Sequence, residues 1–195
     1  SRTSRPDAKT MERNASMAKN KIAKEILEWA LTIIIPVVAA LLIHQYLFTF
    51  ARVDGTSMLD TLHENNIMGV SRLHYRLNEP QRGEIITCNY PGEGSKLFVK
   101  RIIGLPGDVI ELDEDGVVTV NGQTLDEPYV DELALGECDI KFPYQVPENR
   151  YFVLGDHRAP SIDSRSSVIG CVEKSQIVGK VFLRVWPLSS FSLIH

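Results

Sequence analysis

From residue 29 to residue 50 the chain runs for 22 residues without one formally charged side chain, WALTIIIPVVAALLIHQYLFTF. No other feature restricts the possible folds as much. At 1.5 Å per residue, a helix of that length crosses the ~30 Å hydrocarbon core of a bilayer. Pro36 is tolerated in such a helix and kinks it. Trp29 and Tyr46 stand near its ends, where amphipathic aromatics favour the interface. A core helix of a soluble domain keeps a polar face, which this one lacks. A cleaved signal peptide has a shorter apolar region followed by small residues. Here bulky Tyr46, Leu47, Phe48 and Phe50 close the run. Residues 26–50 are therefore expected to form one uncleaved transmembrane helix.

The charges on either side differ. Residues 1–25 hold seven Lys/Arg against three Asp/Glu, and the rest of the chain holds 14 against 22. The basic flank predicts a cytoplasmic tail, with residues 51–195 on the far side of the membrane. Residues 1–20, polar and without periodicity, are expected to be disordered. An acidic body argues against a nucleic-acid partner, which calls for a basic face. The three cysteines, Cys88, Cys138 and Cys171, include no CxxC pair, so zinc-site spacing is absent. Their odd number excludes complete pairing within one chain. They read as small apolar fillers.

Beyond the apolar run the pattern is mainly β. Strands are expected at 67–72, 84–89, 97–103, 109–112, 117–120, 151–154 and 180–185, separated by turn chemistry at 91–94, 105–108, 113–116 and 121–122. Asp115-Gly116 and Asn121-Gly122 favour tight turns with positive φ. Residues 123–146 read as an irregular insertion. Helices do not alternate with strands, so a parallel α/β sheet is not expected.

Three stretches carry residues capable of chemistry. In FVKRIIGLPGD, residues 98–108, period-two alternation puts Lys100 on one face between Phe98 and Ile102. The bland alternative is an edge strand whose lysine head reaches water. In VDGTSMLDTL, residues 53–62, Ser57 follows Gly55, which permits a sharp turn. A serine so placed can present its hydroxyl and its own N–H to a carbonyl, although small polar residues are also ordinary turn formers. The chain's histidines, at 44, 63, 74, 157 and 195, form no recognisable triad pattern with it. A desolvated lysine is the other base available to a serine, and the apolar flanks of Lys100 meet that condition. In residues 151–172 an apolar strand ends at Gly155 and a polar loop holds Asp156, Arg158, Ser161, Asp163, Ser164 and Arg165.

In this order, GTSMLDTL at 55–62, RGEII at 82–86, FVKRIIGLPGD at 98–108, LGDHRAPSIDSR at 154–165 and VGKVFLRVWP at 178–187 resemble the bacterial type I signal peptidases. The resemblance runs from the apolar helix to Pro187. It implies a mainly β catalytic domain with a smaller β extension at about 105–150. It makes Ser57 the nucleophile and Lys100 the general base of a Ser/Lys serine endopeptidase, with Met58 following the serine. Ser161 matches the serine that orients the lysine, Asp163 and Arg165 match a supporting ion pair, and Gly155 matches a glycine that lets backbone approach the site. No metal or cofactor is implied. The implied partners are secretory preproteins, the lipid bilayer and the translocation machinery, at a bacterial cell membrane.

Three positions depart from the family pattern. Asp60 stands where proline is usual, His157 where asparagine is usual, and Gly55 where some members have a hydroxyl directed at the oxyanion. The departures at Asp60 and His157 leave a catalytically impaired, membrane-tethered binding module of the same fold as the alternative. A self-cleaving Ser-Lys regulator would need a DNA-binding domain, against which the apolar helix and acidic body both argue. Met58 and Leu59 are expected to line a substrate cleft, dip into lipid, or pack in the core.

Overall fold

The computed structural model describes residues 8–59, 61–89 and 97–194. The turn expected at 91–94, the departure at Asp60 and residues 1–7 lie outside them. The first element is a 39-residue helix, α1 (Ala8–Tyr46), which contains Pro36. It starts well before the expected boundary. Residues 8–25, read as part of a disordered tail, are helical, and their composition explains why. AKTMERNASMAKNKIAKE is rich in Ala, Lys, Met, Glu and Arg and holds no glycine or proline. The segment Asn20–Ile43 is long and apolar enough to cross a membrane, and none of it is buried.

The helix also stops sooner than residue 50. Residues 48–52 form the strand β1 (Phe48–Arg52), with alternating exposed and half-buried positions. The chain divides after Gln45 into two compact units, so β1 belongs to the second.

That second unit is built on two antiparallel sheets. The large sheet contains β1, β2 (Ile67–Ser71), β3 (Ile85–Asn89), β4 (Leu97–Gly104), β9 (Arg150–Leu154), β10 (Val172–Glu173), β11 (Ile177–Trp186) and β12 (Ser192–Leu193). Its order is β1-β2-β11-β3-β4-β9-β10, with β12 paired to β11. The small sheet contains β5 (Val109–Leu112), β6 (Val118–Val120), β7 (Gln123–Thr124) and β8 (Tyr144–Gln145), in the order β7-β6-β5-β8. One short helix, α2 (His74–Leu77), follows β2. The fold is mainly β with one N-terminal apolar helix.

Side-chain alternation sorts the core. From β4, Phe98 and Ile102 pack with Ile86, Cys88, Tyr151 and Val153. Val99 joins Val53, Met58, Leu62 and Met68. Ile103 packs with Phe152, Leu154 and the small sheet's Ile110, Val118 and Val120. Each fully buried aliphatic side chain contributes about 1.5–3 kcal/mol. The two sheets share that last cluster because Gly104 has no side chain. A Cβ there would come within 2.8 Å of Ile110 and 2.9 Å of Val146. Asn121 and Gly122, both at positive φ, close the turn from β6 to β7. Cys88, Cys138 and Cys171 are free thiols.

Candidate active site

Ser57 lies on the segment between β1 and β2. Gly55, at φ +93°, turns the backbone, and Met58 and Leu62 anchor the segment in the core. Met58 is 1% exposed, so of its three expected fates core packing holds, at the base of the cleft it also lines. Ser57 and Lys100 line one open cleft of about 540 Å³, whose walls come from 50–58, 97–100 and the loop residues Pro160 and Ile162.

Lys100 sits in the middle of β4, opposite Ile86 of β3. It is 3% exposed, which rules out the edge-strand alternative with its head in water. Its Nζ donates a 3.1 Å hydrogen bond to Ser161 Oγ, which in turn donates to Asp163 Oδ2 at 2.7 Å. Burial pushes the amine down from an ordinary 10.5 to about 8. The Asp163 carboxylate is the largest opposing influence, and the Arg165 guanidinium weakens it. The neighbouring Cys88 thiol is itself pushed up to about 12 by burial and stays protonated.

Asp163 and Arg165 are both fully buried and doubly bridged. Arg165 Nε reaches Asp163 Oδ1 and Nη2 reaches Oδ2, each at 2.8 Å. The guanidinium also donates to the carbonyls of Leu135 at 2.7 Å, Arg158 at 2.7 Å and Ser161 at 3.2 Å. A buried ion pair survives only when its remaining donors are satisfied, and here they are.

Gly155 is the point where the Ser57 segment and the support of Lys100 meet. A Cβ on it would stand 2.2 Å from Ser161 Oγ and 2.4 Å from the Ser57 carbonyl oxygen. The Gly155 N–H donates to Asp163 Oδ2 at 3.0 Å. Two residues on, the His157 N–H donates to the Ser57 carbonyl at 3.1 Å, and its Nδ1 lies 3.2 Å from the Thr56 carbonyl. His157, one of the three departures from the family pattern, thus contacts the Ser57 turn twice.

The structure therefore brings Ser57, Met58, Lys100, Gly155, Ser161, Asp163 and Arg165 to one place. It also adds residues that sequence reading did not connect. Arg101 pairs with Asp156 through Nε at 2.9 Å and Nη2 at 2.7 Å, and Thr61 Oγ1 donates to Asp156 Oδ2 at 2.5 Å. Arg158 pairs with Glu127, 31 positions away. An arginine directly after the lysine of a buried strand was a usable signal, because its face also needs a partner.

Residues 26–186 match the family described as signal peptidase, peptidase S26. The chain is 42% identical to signal peptidase I S of Bacillus subtilis over 177 residues, covering 85% of this chain and 92% of that protein. It is 33% identical to signal peptidase IB of Staphylococcus aureus over 183 residues, covering 86% and 93%. A signal peptidase I of known crystal structure from Enterococcus faecalis is 33% identical, with a TM-score of 0.43 over 53% of this chain and 97% of that one. With the family matched over most of its length, this chain belongs to the signal peptidases of peptidase family S26 and is a serine protease of the signal peptidase I type.

Proposed function

We propose that this enzyme is held in a membrane by α1 and removes signal peptides from secreted preproteins with a Ser57/Lys100 dyad. The observation that carries this reading is Lys100 itself, a lysine buried in a strand, lowered to about 8 and hydrogen-bonded to a serine rather than to a carboxylate. A lysine of that kind offers a neutral amine near physiological pH.

In the proposed reaction the neutral Lys100 amine accepts the Ser57 hydroxyl proton as Oγ attacks the scissile carbonyl. The Ser57 N–H stabilises the oxyanion. The resulting ammonium returns the proton to the leaving amine, and the signal peptide stays as an acyl ester on Ser57. Water, deprotonated by the same amine, then cleaves the ester and restores both side chains. Ser161, with Asp163 and Arg165 behind it, fixes the lysine rotamer. Glycine at 155 lets the Ser57 backbone approach that support.

The anchor gives the reaction its location. Only residues 47–55 join the helix to the Ser57 turn, so the anchor tethers the peptidase to the membrane that a preprotein crosses through the translocation machinery. The basic residues before the apolar run assign that end to the cytoplasm and the peptidase to the outer side.

The test is cleavage of a purified preprotein by the full chain. Ser57→Ala and Lys100→Ala are each expected to lower kcat by at least about 10³-fold. Full activity in either folded variant would dismiss the dyad.

A further inference from the structure

We propose that Glu127 and Tyr129, in the connection from β7 to β8, are positioning residues that hold the nucleophile turn in place. This rests on the Ser57/Lys100 reading. Residues 123–146 look irregular in sequence, yet they supply the outer contacts of the buried arginines that support the site. The Tyr129 ring lies 3.8 Å from the Arg101 guanidinium. The Tyr129 hydroxyl donates to Glu127 Oε1 at 2.8 Å, and the same oxygen accepts from Arg158 Nη2. The side chains of Glu127 and Arg158 are 4% and 1% exposed.

From these two residues, contacts run to both ends of the nucleophile segment. Arg158 Nε donates to the Gly155 carbonyl at 3.2 Å, which fixes the backbone preceding His157. The His157 N–H then holds the Ser57 carbonyl. On the other side Arg101 holds Asp156, and Asp156 accepts the Thr61 hydroxyl four residues beyond Ser57. Glu127 is the carboxylate paired with Arg158 among the described residues, and Arg158 Nη1 is buried with no hydrogen-bond partner there. Without Glu127 the guanidinium has strong reason to turn toward solvent and take the Gly155 carbonyl with it. Neither residue lines the cleft that contains Ser57 and Lys100, so the expected effect is on alignment and not on substrate contact.

The experiment is steady-state cleavage of a preprotein by the full chain, with cooperative thermal unfolding recorded for each variant. Glu127→Gln and Arg158→Gln are each expected to lower kcat about 10- to 100-fold with KM within about threefold, because misalignment costs rate rather than binding. The double variant is expected to be no slower than the worse single one. Glu127→Gln leaves a buried charge without its partner, so Tyr129→Leu provides a charge-neutral second route, and it too should lower kcat with KM unchanged. Should Glu127→Gln fail to fold, Tyr129→Leu decides alone by the same criterion. A folded variant with kcat within about twofold of the parent, a loss borne by KM, or additive losses would overturn the proposal. Ser57→Ala run beside them reports separately on the dyad, since its inactivity stands whatever Glu127 does.

Discussion

Lys100 decides two pH dependences with one amine. Its amine is pushed to about 8 by burial, against an ordinary 10.5. In the proposed dyad only the neutral form accepts the Ser57 proton. Below pH 8 the neutral fraction falls tenfold per pH unit, so kcat/KM is expected to rise with unit slope up to about pH 8 and level off above it. A pH–rate profile checks this, and a profile still climbing at pH 10 would mean a solvated lysine. Stability follows the same group. Between about 8 and 10.5 the unfolded chain binds the proton and the folded one does not, so the contribution of Lys100 to stability rises with pH across that window. Below pH 8 the buried ammonium costs the fold about 3 kcal/mol. Lys100→Met is therefore expected to be inactive and more stable than the parent at pH 7, with the gap closing by pH 10.5. Urea melts at the two pH values measure it.

At the scale of the element, the turn after β9 carries the constraint. Gly155→Ala places a Cβ within 2.4 Å of both Ser161 Oγ and the Ser57 carbonyl. These are fixed groups, so relief requires the Ser57 turn to move. The expected cost is about 1–3 kcal/mol of stability together with a fall in kcat of at least about tenfold. Thermal melts and a cleavage assay read both. The importance of this glycine was visible in sequence only through the family pattern, because nothing local distinguishes it from a strand terminator. Alternation singled out Lys100, since Phe98 and Ile102 on its face are apolar, but left an edge strand with a solvated lysine open until the family pattern was considered. The strand β1 was not legible. FTFAR follows an apolar helix without a polar break, and its aromatic residues serve equally as the end of a span. The pairs Arg101–Asp156 and Arg158–Glu127 were also hidden, because partners 55 and 31 positions apart leave no spacing signal. Residues 123–146 were expected to be irregular; the chain from 125 to 143 is, but the ends of the range are the strands β7 and β8, which at two residues each are too short to show a period. What periodicity could not convey is that irregular backbone there presents its carbonyls to Arg165.

For the molecule as a whole, the chain divides after Gln45, and under the proposed anchoring the two units meet separate requirements, access and catalysis. The large sheet starts at Phe48, paired with Ser71, and Phe50, Ala51 and Arg52 of the same strand line the cleft. A cut made where the sequence suggested the helix ends, after residue 50, removes half of β1 and opens the sheet edge beside Ser57. A chain starting at Tyr46 keeps the whole strand. Residues 46–195 are therefore expected to fold alone and to cleave a soluble peptide with kcat within about threefold of the full chain, whereas residues 53–195 should be inactive. Cleavage of a preprotein embedded in vesicles should distinguish the 46–195 chain from the full one. Anchored enzyme and embedded substrate share a surface, which raises their effective concentration, so the full chain should be faster there by about 10²-fold or more. Equal rates for the two chains on the vesicle substrate would show that α1 contributes nothing to encounter. Loss of peptide cleavage by the 46–195 chain would show that the site needs the helix for its own geometry.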